Sequence, residues 1–543
     1  MKKYLPLLML GSLIFSCSQQ DNFEEASNSI TEDALKKKIE RLASDEFLGR
    51  RPFTEGEDIT INYLKDEFIK MGLKPGNGDS YFQEVPMVEL TATADSVINI
   101  TSGTETTQLR YWEDYVALTR RVTDSVSIMD SELVFAGYGI IAPEYDWNDY
   151  DGLDVKGKTV VVLVNDPGFG KEDKSFFKGN EMTYYGRWTY KYEEAARQGA
   201  DGLLIIHETA HASYPWEVVQ GGWSGANLYL QSKDDNMSRC KIEGWISSAS
   251  AQELFKNTGM EGYDFYAEAL KRDFKGFSLN QKVSINLSNQ IKKSKSYNVI
   301  ALYEGTDLKD ETIIYSAHWD HFGIGSPVDG DSIYNGAVDN ATGVAAIMQV
   351  AEAFTKLNQK TKRSVAFIAV TAEEQGLLGS AHYAENPIFE PSKTVANINV
   401  DAIRPIGRVN DFSVIGYGQS ELEDYAKRAV EKQGRYITPD PHPEAGAFFR
   451  SDHFNFAKIG IPALYAKGAV DSDENGAKWG QEKYSEYTSQ HYHKPSDEYY
   501  EGFNAEGVKL DAQILFDIGY TLANETTFPK WKEGSEFKAI REK

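Results

Sequence analysis

Ser316-Ala317-His318-Trp319-Asp320-His321 sets a histidine and an aspartate directly after the short apolar run Thr312-Ile313-Ile314-Tyr315. A β-rich, uninterrupted run of that length reads as a buried strand, and open α/β sheets keep their chemistry at the carboxyl ends of such strands. Further donors follow at successive element ends. Asp339 lies in Gly336-Ala337-Val338-Asp339-Asn340-Ala341-Thr342-Gly343, which opens a helix with an apolar face. Glu373-Glu374 follow the strand candidate Val365–Val370, Asp401 ends Val395–Val400, and His493 sits in His491-Tyr492-His493-Lys494-Pro495. Each has a plainer reading when taken singly; Asp339, for one, stands where a helix N-cap belongs. Together, His318, Asp339, Glu374, Asp401 and His493 make two imidazoles and three carboxylates, a mixed N/O donor set suited to zinc or a similar divalent ion. Adjacent carboxylates just past a buried strand are costly unless a cation pairs them. Glu373 remains beside the set as the spare base that metal-assisted hydrolysis requires.

The elements that must position these groups alternate from Lys292 onward. Apolar strand candidates are Asn298–Leu302, Thr312–Tyr315, Val365–Val370, Val395–Val400, Phe412–Ile415 and Ala463–Ala466, and helix candidates are Ala341–Leu357, Leu377–Glu385, Glu421–Gln433 and Ala505–Ala523. That order predicts an α/β fold: a three-layer α/β/α domain with a mostly parallel mixed sheet. Two helices are expected earlier, over Ile30–Ala43 with Thr31 as N-cap and over Glu55–Met71, ended by Gly72. From Tyr81 to Ile291 the pattern changes to short alternating segments with frequent glycine, which reads as a separate β-rich module inserted into the first domain. The expected organisation is therefore residues 30–80 and 292–543 as one domain and 81–291 as the insertion.

At 543 residues, 41% hydrophobic and 26% charged, the chain has the composition of an ordinary globular protein of about two domains. Its formal net charge of −25 argues against nucleic acid or an anionic membrane surface as partner. Lys2 and Lys3 precede an apolar run, Tyr4 to Phe15, too short to span a bilayer, and the run ends Ile14-Phe15-Ser16-Cys17. This reads as a lipoprotein signal over residues 1–17, with cleavage before Cys17 and a membrane tether through its lipidated thiol. Export to a bacterial cell envelope follows from that reading. Residues 18–29, rich in Ser, Asn, Gln and acids, read as a flexible tether. Cys240 is the one other cysteine, so no internal disulfide is expected after cleavage.

His318-Trp319-Asp320, Asp339-Asn340-Ala341-Thr342-Gly343, Glu373-Glu374-Gln375-Gly376-Leu377, Asn399-Val400-Asp401 and Tyr492-His493 resemble, in order, the motifs of the co-catalytic zinc exopeptidases. That family, peptidase family M28, includes bacterial aminopeptidases and glutamate carboxypeptidase. The middle module resembles a protease-associated domain through Val160–Val164, Ala195-Ala196-Arg197-Gln198-Gly199-Ala200-Asp201-Gly202 and Leu203–Ile206. The resemblance implies two zinc ions per chain, with Asp339 bridging them, His318 and Asp401 completing one site, and Glu374 and His493 the other. It further implies Glu373 as general base, Asp320 as the residue orienting His318, and Tyr492 as a helper at the oxyanion. Ala402 and Val338 depart from the usual family residues, but neither is a ligand.

The expected activity is that of an aminopeptidase acting on peptides. Alternatives are a carboxypeptidase of the glutamate carboxypeptidase type, a glutaminyl cyclase using one zinc on the same fold, and a non-catalytic, receptor-like binding protein. Arg450, Asp452 and His453 are candidates for the substrate pocket. His207-Glu208-Thr209-Ala210-His211 matches His-Glu-x-x-His, the zincin motif, which needs a helix to set both imidazoles on one face. It follows directly from a Leu-Leu-Ile-Ile strand and meets Pro215, so a zincin site is not expected. Oligomeric state has no signature in the sequence.

Overall fold

Side-chain alternation on seven strands sets the layering of the larger unit in this computed structural model, which describes residues 22–542. The strands are β1 (Phe277–Tyr303), β2 (Leu308–His318), β3 (Arg363–Val370), β4 (Thr394–Asn399), β5 (Asp411–Val414), β6 (Tyr436–Pro439) and β7 (Ala463–Gly468). Their order is β1-β3-β2-β4-β7-β5-β6. The central four, β3, β2, β4 and β7, are parallel; β1 and β5 run antiparallel to their inner neighbours. Ile313, Tyr315 and Ala317 enter one core with Val365, Phe367 and Ala369. Ile314, Ala366, Ile368 and Val370 enter the opposite one, as a period of two requires. The first core is covered by α2 (Glu32–Leu42), the helix Thr342–Thr355 and the helix Glu506–Asn524, the second by Leu378–Glu385 and His453–Lys458. This is the three-layer α/β/α arrangement with a mixed sheet.

Local signals act where they were expected. The Thr31 side chain accepts the Ala34 N–H and caps α2. The next helix runs Glu55–Lys70, and Gly72 follows at φ +79. The helix Gly476–Gln490 was not foreseen, because only Gly480 along it is buried and no apolar stripe marks it. Residues 22–28 correct the flexible-tether reading of 18–29. Phe23–Asn28 forms a helix, α1, whose Phe23 ring stacks 5.4 Å from Phe516 and whose Ala26 is fully buried. An aromatic anchor, a buried alanine and two side-chain hydrogen bonds dock this short helix, and average composition does not reveal them. Residues 1–21, and with them the expected signal and Cys17, lie outside the described residues. Among the described residues no helix is long and apolar enough to cross a membrane.

The segment between the first and second parts of this unit has its own cores. One gathers Phe135, Leu163, Leu204, Ile246 and Phe255; another lies on the far side of the same strands around Val160, Val162, Ile205 and Trp245. Three strands, Thr159–Leu163, Gly202–His207 and Ile242–Ser247, are parallel. β1 joins the two units without a break. It pairs with Ser125–Phe135 early, with Phe82–Ala94 through its middle, and with β3 at its end. The compositional boundary at 291/292 thus falls inside one continuous strand.

Candidate metal centre

Three parallel strands and two loops deliver the chemistry. β2 ends at His318, β3 is followed by Glu373 and Glu374, and β4 by Asp401. The loop before the helix Thr342–Thr355 brings Asp339, and the turn after Gly476–Gln490 brings His493. The His318 Nε2 lies 3.2 Å from Asp339 Oδ1, 3.5 Å from Asp401 Oδ1 and 4.0 Å from Glu373 Oε2. The His493 Nε2 lies 3.4 Å from Asp339 Oδ2 and 3.2 Å from Glu374 Oε2. The two oxygens of Asp339 thus face two different imidazoles. All five predicted ligands and Glu373 come together; His318, Asp339 and Asp401 are buried, and Glu373, Glu374 and His493 are partly so.

Asp339 does not cap a helix. It sits at φ −109, ψ 92 inside an irregular turn, Ala337–Ala341, and its carboxylate points to the imidazoles. The Asp339–Asn340 peptide is cis. Asp497, which sequence reasoning passed over, fixes this turn: its carboxylate accepts the Val338 and Asp339 N–H groups at 3.0 Å each, and the Tyr487 hydroxyl donates to it at 3.1 Å. Asn340 joins the turn to the Asp401 segment, donating to the Val400 carbonyl at 3.0 Å while its own oxygen accepts from Gly343 and Ala402. Asp401 is held by the Ser451 hydroxyl, 2.6 Å from Oδ2, and by Lys467, which donates to its carbonyl at 2.7 Å.

Asp320 acts differently from the expectation. Its carbonyl, not its carboxylate, lies 3.2 Å from His318 Nδ1; the nearer carboxylate oxygen is 3.8 Å away. The carboxylate instead accepts the Glu373 N–H at 3.0 Å and the Glu374 N–H at 3.3 Å. It therefore places the two glutamates. His321 was also missed as a site residue. Fully buried, it approaches Glu374 Oε1 at 2.6 Å through Nδ1, so that Glu374 is bracketed by His321 and His493. Its signal was present, three residues beyond His318, but strand-end logic selects the first histidine. Tyr492 is 43% exposed and stacks on the His493 ring at 3.7 Å.

Of the pocket candidates, Asp452 is buried and accepts the Ser380 hydroxyl at 2.6 Å, and His453 is buried as well; Arg450 alone is exposed. The zincin-like motif does not assemble. His207 Nε2 faces the Tyr214 carbonyl, whereas His211 Nδ1 turns back to Glu208 at 2.7 Å, in a helix of four residues.

The donor set fits divalent cations. The buried His318 Nε2 has no hydrogen-bond partner despite its carboxylate neighbours. His318, Asp339 and Asp401 present ligand atoms within 4.8 Å of one another, and His321, Asp339 and Glu374 do the same. Burial first, then the charges of Glu374, Asp401 and Asp452, push the Glu373 carboxyl well above its usual range. Burial works against charge on His318, but Glu373, Asp339 and Asp401 outweigh it and raise the imidazole well above its usual value. Against burial, the neighbouring imidazoles hold the Asp339, Glu374 and Asp401 carboxyls below their usual range, so these acids stay charged only beside positive charge, which a cation would supply.

Residues 298–512 match the sequence profile of Peptidase family M28. A probable leucine aminopeptidase 2 of Aspergillus oryzae is 25% identical over 487 residues, covering 88% of this chain and 80% of that protein. A glutamate carboxypeptidase 2 homolog of Caenorhabditis elegans is 29% identical over 47% of this chain, which spans only 35% of that relative. Among solved structures, an aminopeptidase from Aneurinibacillus sp. strain AM-1 aligns over 93% of this chain and 97% of its own, at 20% identity and a TM-score of 0.47. The region 298–512, with its motifs in order and its donors gathered at the ends of parallel strands, belongs to peptidase family M28.

Proposed function

We propose that this protein is a two-zinc metallo-exopeptidase that removes N-terminal residues from peptides. The observation that carries the reading is Asp339, whose two oxygens lie between His318 with Asp401 on one side and His493 with Glu374 on the other. Those five residues would hold the ions, with His321 steadying Glu374. Bound zinc would supply Lewis acidity to a water and to the scissile carbonyl. Glu373 takes the proton from the attacking water and passes it to the departing amine. Its backbone is pinned through Asp320, so its carboxylate stays aimed at that position. Tyr492, stacked on His493, stands at the rim to steady charge on the carbonyl oxygen. The aminopeptidase choice is supported by the Aspergillus oryzae relative.

Zinc counting and a paired substrate assay test the reading. Two zinc ions per chain and cleavage of free but not N-acetylated peptides are expected. One ion per chain with release of pyroglutamyl product would point to a cyclase, and equal cleavage of acetylated peptides would refute the aminopeptidase choice. The segment 81–291 is read as a protease-associated domain. Export and anchoring through Cys17 are part of the same proposal. Because Phe23, only six positions after Cys17, is already packed on Phe516, the anchor would hold the folded unit close to its membrane; Cys17→Ser should release the protein from membranes in fractionation.

A further inference from the structure

Arg50 belongs to no motif that the proposed function uses, yet it lies at the back of the metal centre. It ends a turn in which Leu48, Gly49 and Arg50 all have positive φ, from 50 to 65. A side chain at Gly49 would collide with the Tyr334 carbonyl at 2.6 Å and with Gly323 at 2.7 Å, so glycine is what lets this turn reach inward. The Arg50 side chain is 1% exposed. Its Nε donates to the Trp319 carbonyl at 2.9 Å. One terminal nitrogen donates to Leu42 and Asn335 at 2.7 and 2.5 Å, the other to Gly336 at 2.9 Å. The Arg50 carbonyl in turn accepts the His321 N–H at 3.3 Å.

Two of these segments carry proposed ligands. Trp319 lies between His318 and Asp320; Asn335 and Gly336 lead into the turn that carries Asp339. One planar guanidinium therefore spans the two pieces of chain whose side chains, His318 and Asp339, meet in the centre at 3.2 Å. No carboxylate touches it in the described residues; its partners are all carbonyls. Its charge still acts on Asp497 and Asp320, the two acids that hold the ligand backbones, and on Asp339 and Glu374. A lysine in its place could offer three donors from one point, too few for these four carbonyls and too compact to span the three segments that carry them.

We propose that Arg50 is a positioning residue of the metal centre: it fixes the separation of the Trp319–His321 and Asn335–Asp339 segments before any ion binds. This rests on the metal-centre reading but not on the choice of substrate, because its tests need no peptide. Hydrogen exchange on the zinc-free wild-type protein should find the amides of 319–321 and 335–339 as protected as those of β2. Free exchange there, with β2 protected, would overturn the proposal. Arg50→Lys keeps the charge and should remain folded by circular dichroism. Its affinity for zinc should fall by about 10–100-fold, the usual effect of losing a group that orients ligands. With peptide substrate at saturating zinc, kcat should drop while KM stays put, since Arg50 cannot reach substrate. A folded Arg50→Lys with wild-type zinc affinity and kcat would equally overturn it. A failed aminopeptidase assay, by contrast, would leave the exchange and zinc measurements standing.

Discussion

Two buried parallel strands in this molecule end in histidine, and their fates differ. β2 runs into His318; Gly202–His207 runs into the His-Glu-x-x-His stretch. Both lie between two parallel neighbours. The neighbours of β2 are followed by Glu373-Glu374 and Asp401; Glu373 and Asp401 turn toward His318 and Glu374 toward His321 and His493. The neighbours of Gly202–His207 end near Asp166 and Ser247, and each is consumed locally. Asp166 accepts from Thr183 and Gly168, Ser247 caps the next helix, and Glu208 caps its own short turn. The lesson is that a histidine at a strand end can join a donor cluster only when adjacent strands leave their acids free to meet it.

The strongest way to break this comparison is to remove the acid from each place. Glu373→Gln should lower kcat by about 10²–10⁴-fold with zinc retained, the range for a lost general base, while Glu208→Gln leaves kcat unchanged. The reverse ordering would transfer the site to the inserted unit. A smaller effect separates the acids that hold backbones. Asp497→Asn should weaken zinc binding by about 10–100-fold, measured by competition with a chelator. Asp166→Asn, its counterpart beside the other strand, should lower thermal stability without changing zinc affinity.

The smallest expected effect concerns an acid buried with no ligand role. Burial raises Glu57 to about 7, against the Phe53 N–H that it accepts at 2.6 Å. The folded state then holds a proton that the unfolded chain releases near 4.5, so this contribution is complete below about pH 4.5 and is lost as pH rises through 7. Glu57→Gln should raise Tm by about 2–4 °C at pH 8 and leave it unchanged at pH 4. A gain at both pH values would mean that packing, not ionisation, sets the effect.

Much of the centre was legible because its donors follow apolar runs whose ends can be read directly: His318, Glu373, Glu374 and Asp401 each sit at such a boundary. Asp339 and His493 were legible only in company, since a capping aspartate and a loop histidine look ordinary alone. His321 lay in the opening motif but was passed over for His318, and Arg50 and Asp497 were not legible. Arg50 donates to backbone carbonyls, Asp497 accepts backbone N–H groups and His321 meets Glu374 far along the chain, and such contacts leave no pattern of residue types. The helix at Phe23–Asn28 escaped for a related reason, since its partners Phe516 and Tyr520 lie at the other end of the chain.

The sequence by itself determined the alternation of strands and helices and the candidate donors that the fold brings together, because hydrophobic period and residue chemistry are local properties. Tertiary structure alone decided that the Asp320 carboxylate holds the glutamates while its carbonyl faces His318, that Asp339 turns away from its helix, and that one His-Glu motif closes on itself. Those outcomes depend on which neighbours satisfy each buried polar group, and neighbours are chosen by strand order and register, not by adjacency along the chain.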